Sequence, residues 1–211
     1  MELFIDSSRE TLSLALVDDN KLIFKSNVNS HNKHSNYLIG EIKNNLSLNN
    51  ISLNDIDSFI TLNGPGSFTG VRVGVTVSKV FSWILNKNLY LLNNLEALKV
   101  GFDDEVIITV VPDKKDYSYV GIYQDTNLYE GYMSLNDNNL NLVNKKITII
   151  SLSNNDFLNS LFTNLSVNNK INLRLIEDYN YINLINYALT KEKVNTHLAK
   201  PIYLKKIDVE K

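Results

Sequence analysis

Gly64-Pro65-Gly66-Ser67-Phe68-Thr69-Gly70-Val71-Arg72-Val73-Gly74 carries four of the eight glycines in the chain, follows a strand-like run and leads into the longest apolar segment. Pro65 between two glycines sets a turn, and Ser67 or Thr69 can cap the backbone N–H groups of a following helix. Val71, Val73, Val75 and Val77 alternate with Arg72, Gly74 and Thr76, which over so short a window reads as a strand. A longer window reverses that. At roughly 100° per residue from Gly70 to Leu85, Arg72, Thr76, Lys79 and Trp83 gather in a sector about 60° wide. Val73, Val77, Val80, Phe81, Ile84 and Leu85 share the opposite side, which is taken as the core face, and the pattern predicts a helix from about Phe68 to Leu85. Gly70, Gly74, Ser78 and Ser82 form a second stripe, flanked by Val71 and Val75. Small residues at that spacing admit another backbone, so the stripe is expected to face a partner.

Around this segment the chain reads as alternating elements. Leu3 to Ile5, Leu12 to Val17 and Leu22 to Val28 are strand-like and joined by short polar turns, an antiparallel opening. Leu38, Ile39, Ile42 and Leu46 recur at helical spacing behind His34-Ser35, with Gly40 leaving room for a neighbour. Ile56 to Leu62 and Leu89 to Leu92 are buried strands on either side of the organising helix, so strand–helix–strand units imply parallel pairing. Beyond Gly101, Val106 to Val111 and Tyr117 to Tyr123 read as strands. Leu128 to Met133, Ile147 to Ile150 and Leu173 to Ile176 are weaker ones, and Asp156 to Leu165 and Ile182 to Leu189 look helical.

The glycine segment, Ile5-Asp6-Ser7-Ser8, His34-Ser35, Leu95-Glu96-Ala97-Leu98 and Pro201-Ile202-Tyr203-Leu204 together, in this order, resemble the TsaB family. TsaB is the non-catalytic partner in bacterial synthesis of threonylcarbamoyladenosine on transfer RNA. Residues 124–196 carry no matching motif, and Pro112-Asp113-Lys114-Lys115 departs from the Asp-Ala-Arg-Arg-like turn common in the family. The resemblance implies an α/β fold of the actin, Hsp70 and sugar-kinase (ribonuclease H-like) superfamily with two mixed-sheet lobes. These are expected at residues 1–100 and, reduced in size, at 101–211. It further implies pairing with TsaD to transfer a threonylcarbamoyl group to the adenosine next to the anticodon in tRNAs that read A-starting codons. TsaE and TsaC are implied as pathway partners, with a homodimer when the chain is alone. The expected partner surface comprises His34, Leu38, Gly40, Gly66, Ser67, Phe68, Thr69, Gly70, Val71, Gly74, Val75 and Ser78. No tightly bound cofactor is expected, with ATP or ADP at the interface with TsaD left open. The alternative is an enzyme in its own right, an ATP-using phosphotransferase of the same superfamily or a peptidase.

Candidate chemistry is sparse. Asp6, Ser7 and Ser8 match the hairpin on which related kinases hold nucleotide phosphates, and equally suit a solvated turn. Gly64 to Gly70 offers backbone N–H groups and a helix N-terminus to an anion, with Arg72 nearby in sequence, yet lacks the Lys-Ser/Thr ending of a P-loop. His31 and His34 are three apart and His197 stands alone, too few ligands for a metal site. The His-x-x-x-His metal motif of TsaD is absent, and Ser67 has no histidine placed as a base.

With 211 residues and 44% hydrophobic content the chain can bury a core as one domain or two small lobes. Absence of cysteine excludes disulfides, thiolate catalysis and iron–sulfur clusters. The net charge of −2 disfavours RNA binding as the main role of the whole chain. Asparagine, about one residue in seven, is interleaved with Leu and Ile rather than gathered in tracts. Met1 runs straight into a strand without a basic leader, and no apolar run reaches ~18 residues, so a cytoplasmic location is expected.

Overall fold

The computed structural model describes residues 1–29, 34–124, 126–137 and 140–205. The chain divides into two units, Met1–Asn94 with Asn180–Ile202, and Leu95–Tyr179 with Tyr203–Lys211. A break between residues 100 and 101 was expected. Instead the chain leaves the first unit six residues earlier and its C-terminal portion returns to it. The physical cause is a helix, Tyr181–Leu189, whose buried Tyr181, Leu184, Ile185 and Ala188 pack on strands of the N-terminal sheet.

In the first unit β1 (Glu2–Asp6), β2 (Thr11–Asp18) and β3 (Lys21–Asn29) form the antiparallel meander. Helix α1 (His34–Leu48) then crosses over to β4 (Ser58–Leu62), and α2 (Phe68–Ile84) to β5 (Asn88–Leu92). The sheet order is β3-β2-β1-β4-β5, with β1, β4 and β5 parallel. Alternation along β1 explains both faces of this sheet. Leu3 and Ile5 join Leu38, Ile42, Val71 and Val75 in one core on the α1/α2 side. Phe4 points the other way, its ring 5.5 Å from that of Tyr181. Glycine at C-terminal turns is replaced twice by Asn50 and Asn86, at φ of 56° and 53°, which asparagine tolerates better than most residues.

The second unit repeats the order. After α3 (Asn94–Lys99), which the sequence reading marked only as a motif, come β6 (Val106–Lys114), β7 (Tyr117–Gln124) and β8 (Thr126–Ser134). β9 (Lys146–Ser151), α4 (Asp156–Ser166) and β10 (Lys170–Leu175) follow, and α5 is the returning helix Tyr181–Leu189. The strand order β10-β9-β6-β7-β8 is the same topology read from the other edge, three antiparallel and three parallel strands sharing the first of each set. Among the described residues between β8 and β9 there is a short 3-10 turn, Leu135–Asp137, where the first unit has α1. Among the described residues α4 is the helix that packs on the core of Val106, Ile108, Val120, Ile147, Phe157 and Leu161. Among the described residues no helix is long and apolar enough to cross a membrane.

Candidate functional site

The hairpin after β1 and the glycine segment before α2 meet, and their contact is made mostly of backbone and small polar side chains. Asp6 is wholly buried and its carboxylate is occupied. Oδ1 accepts from the Ser8 backbone N–H at 2.8 Å and the Ser8 hydroxyl at 2.6 Å, and Oδ2 accepts from Arg9 Nε at 2.9 Å. Ser8 closes the clasp from the other side. Its carbonyl accepts from the Ser67 N–H at 2.7 Å, and its hydroxyl accepts from Asn94 Nδ2 at 2.5 Å. Asn94 in turn accepts through Oδ1 from the Gly64 N–H at 3.1 Å, and its own N–H donates to the Gly64 carbonyl at 2.9 Å. Gly64 sits at φ 104°, where a side chain would be strained, and a Cβ would lie 2.7 Å from the Ile202 carbonyl oxygen. Asn94 went unnoticed in the sequence; the signal was its place just before Leu95-Glu96-Ala97-Leu98.

Asp6, Ser7 and Ser8 were candidate phosphate contacts. All three are buried, and a Cβ on Gly66 would lie 2.6 Å from the Ser8 carbonyl oxygen, so hairpin and loop already touch. An anion there would have to displace Ser8 and Arg9 from Asp6. Arg72 is exposed on α2, its guanidinium 3.6 Å from the centroid of the Phe68 ring, a cation–π contact at the surface.

The expected partner stripe is corrected by the packing of α2. Gly70, Val71, Gly74, Val75, Ser78 and Ser82 are the buried residues of this helix, and they face the chain's own sheet. Ser7 Oγ donates to the Gly70 carbonyl at 2.8 Å, and a Cβ on Gly74 would lie 2.5 Å from Ser7 Oγ and 3.3 Å from Thr61 Oγ1. The second backbone admitted by the small residues is thus that of β1 and its hairpin. Val73, Val77, Phe81 and Leu85, assigned to the core face, are only partly buried at its margin, and Val80 and Ile84 are exposed. His34 and Leu38 are likewise buried, Gly66 and Ser67 half-buried, and of the named partner residues Gly40, Phe68 and Thr69 are exposed. His31 lies outside the described residues. His197 is exposed, and among the described residues no three His, Asp or Glu side chains are grouped to hold a metal ion.

What the helices do present is an apolar outer face. Tyr37, Ile39, Val80 and Ile84 are exposed, and a groove of about 420 Å³ between α1 and α2 is lined by Ile39, Ile42, Lys43, Leu46, Ile51 and Phe81. Exposed apolar patches of this kind mark docking surfaces.

Residues 28–107 match the family model described as TsaD, tRNA N6-adenosine threonylcarbamoyltransferase. The tRNA threonylcarbamoyladenosine biosynthesis protein TsaB of Bacillus subtilis is 29% identical over 127 residues, 59% of this chain and 56% of that protein. The protein of the same name from Buchnera aphidicola is 37% identical over 86 residues, 40% of this chain and 38% of that one. Over these regions the chain is similar to TsaB proteins. It spans about half or less of the length of these TsaB relatives in the matched regions. Among solved structures, YeaZ from Pseudomonas aeruginosa superposes with a TM-score of 0.73 at 18% identity, covering 96% of this chain and 99% of that one. The fold is therefore the YeaZ fold, built on two five-stranded mixed sheets.

His34, beside this clasp, ties the stability of the chain to pH. Burial pushes its imidazole below the usual histidine value, partly offset by a hydrogen bond to the Arg9 backbone and by the nearby Asp6 carboxylate. Below about pH 6.5 the unfolded chain takes up a proton that the native one refuses, so stability is complete above that value. It should fall as the pH drops toward the lowered native value and level off beneath it. Urea unfolding followed across that range should show this slope, and the His34→Gln variant should lack most of it. An equal slope in both would place the titration elsewhere.

Proposed function

We propose that this chain is the non-catalytic partner of a TsaD-type threonylcarbamoyltransferase, needed for threonylcarbamoylation of the adenosine beside the anticodon in tRNAs reading A-starting codons. The observation that carries the reading is the apolar outer face of α1 and α2, with Ile39 and Ile84 more than half exposed beside an open groove. A chain of this size with a buried core on each sheet has no folding need for such a face, and a protein partner removes it from water. The TsaB likeness supports a TsaD-type partner, and the TsaD-like match over residues 28–107 runs from the end of β3 through α1 and α2 into the start of β6. In this reading TsaE and TsaC act in the same pathway, ATP or ADP bound at the shared interface belongs to the complex, and the lone chain pairs with itself through the same face.

The experiment is reconstitution. Purified chain, TsaD, TsaE and TsaC with tRNA, threonine, bicarbonate and ATP should form threonylcarbamoyladenosine, and omission of this chain should abolish it. The chain alone should neither hydrolyse ATP nor form the product. Product formation undiminished without the chain, or ATP turnover by the chain alone that is lost on Asp6→Ala, would replace this reading with the enzyme alternative.

A further inference from the structure

Helix α2 touches α1 with one flank and the 3-10 turn Thr196–Leu198 with the other. Along the second flank runs an open groove of about 260 Å³ between Lys79, Val80 and Trp83 on the helix and Thr196 and His197 on the turn. Lys79 Nζ donates to the His197 carbonyl at 3.2 Å, which pins the turn to the helix. The Trp83 ring meets the His197 imidazole edge-on at 6.3 Å, and 63% of Trp83 nonetheless remains exposed. An indole left open to water is costly, since its hydrophobic area is among the largest of any side chain.

Charge decides what chemistry suits it. The chain as a whole has a net charge of −2, yet residues 58–95 include no Asp or Glu and carry Arg72, Lys79 and Lys87. Lys193 and Lys200, both exposed, flank the turn on its two sides in sequence. Lys79 uses one of three ammonium donors on His197 and keeps two for a ligand. A flat aromatic surface bordered by an ammonium group, on a helix free of carboxylates, complements a planar group that carries negative charge. The groove is smaller than the ~300–1,000 Å³ of drug-sized sites, so it suits one planar ring with the rest of the ligand outside.

We propose that this groove binds one nucleotide of single-stranded RNA, its base stacked on Trp83 and its phosphate held by Lys79. Stacking on an exposed aromatic beside a basic residue is how sequence-tolerant RNA contacts are built. The choice of RNA over other planar anions rests on the tRNA-modification reading; the groove itself does not. It lies on the flank of α2 opposite α1 and shares Val80 with the apolar outer face of the two helices.

Trp83 is the single tryptophan of the chain, so its fluorescence reports this site alone. An oligoadenylate of about ten nucleotides, added to the isolated chain at low salt, should quench it saturably, with weaker binding as salt rises. Anisotropy of the labelled oligonucleotide should show Trp83→Ala weakened about tenfold, Trp83→Phe nearly unchanged, and Lys79→Gln weakened with a shallower salt dependence. Circular dichroism should show all three folded, because both side chains lie at the surface. Absence of quenching, or equal binding by Trp83→Ala, overturns the proposal. So does a Trp83 emission shift caused by TsaD but not by RNA, which would assign the groove to a protein. Because RNA binding is read on the chain alone and tRNA modification on the reconstituted system, either can fail without the other.

Discussion

Gly70→Ala should destabilise the chain by about 3 kcal/mol, a large share of the total stability of a domain this size. The added Cβ would overlap the Ser7 carbonyl oxygen, which is backbone and cannot rotate away. Relief requires α2 to lift from β1, and lifting breaks the 2.8 Å hydrogen bond from Ser7 Oγ to the Gly70 carbonyl. Overpacking costs ~1–3 kcal/mol and sometimes more, and the lost hydrogen bond adds ~0.5–1.5. Against this, alanine is better than glycine in a helix by only ~0.8–1.0 kcal/mol. Gly74→Ala should cost less, because the nearest atom is the Ser7 hydroxyl, which can turn. Gly40→Ala on α1 is the control. Nothing lies within 4 Å of its Cβ position, so it should stabilise by ~0.5–1 kcal/mol. Urea unfolding monitored by circular dichroism measures all three. If Gly70→Ala unfolds at the same urea concentration as the parent, the helix is not pressed onto the hairpin as described.

The same contact explains what the sequence allowed one to read. Element order was legible because strand alternation and helical spacing are local: α2 runs from Phe68 to Ile84 and α4 from Asp156 to Ser166, each within a residue of the reading. The sidedness of α2 was not. Hydrophobicity places Val73, Val77, Val80 and Ile84 inside, but the close approach of helix and sheet is set by Ser7, 63 residues before Gly70, together with Thr61, and at Gly70 and Gly74 it leaves no room for a side chain. Small residues therefore mark the buried face, while Val80 and Ile84 are left outside. The Asp6–Ser8–Asn94–Gly64 clasp was half visible, since the Asp-Ser-Ser turn and the glycine segment each stood out. That they close on each other depends on β1 and β4 lying side by side, which no local pattern states. The return of α5 to the first unit was hidden for the same reason, because its apolar face would suit either sheet.

The corrected sidedness changes which substitution tests the partner face. Ser78→Trp, attractive when the small stripe seemed exposed, would force an indole into a position with no solvent exposure and should unfold the chain rather than weaken pairing. The informative variant is Ile39→Asp combined with Ile84→Asp. Both side chains are more than half exposed, 57% and 67%, so the lone chain should lose little stability. In a complex seated on this face both carboxylates would be stripped of water, and Lys43, four residues along α1, can pair with only one of them, a loss of about 3 kcal/mol, which is roughly 100-fold in affinity. Size exclusion with light scattering, on the chain alone and mixed with TsaD, reads the association, and circular dichroism reads the fold. Lys43→Glu, at the polar rim of the groove, should mainly slow association and change its salt dependence. A folded double variant that still binds TsaD as the parent does would show that the apolar face of α1 and α2 is not where the partner sits, and the pairing would then have to be sought on another surface of the chain.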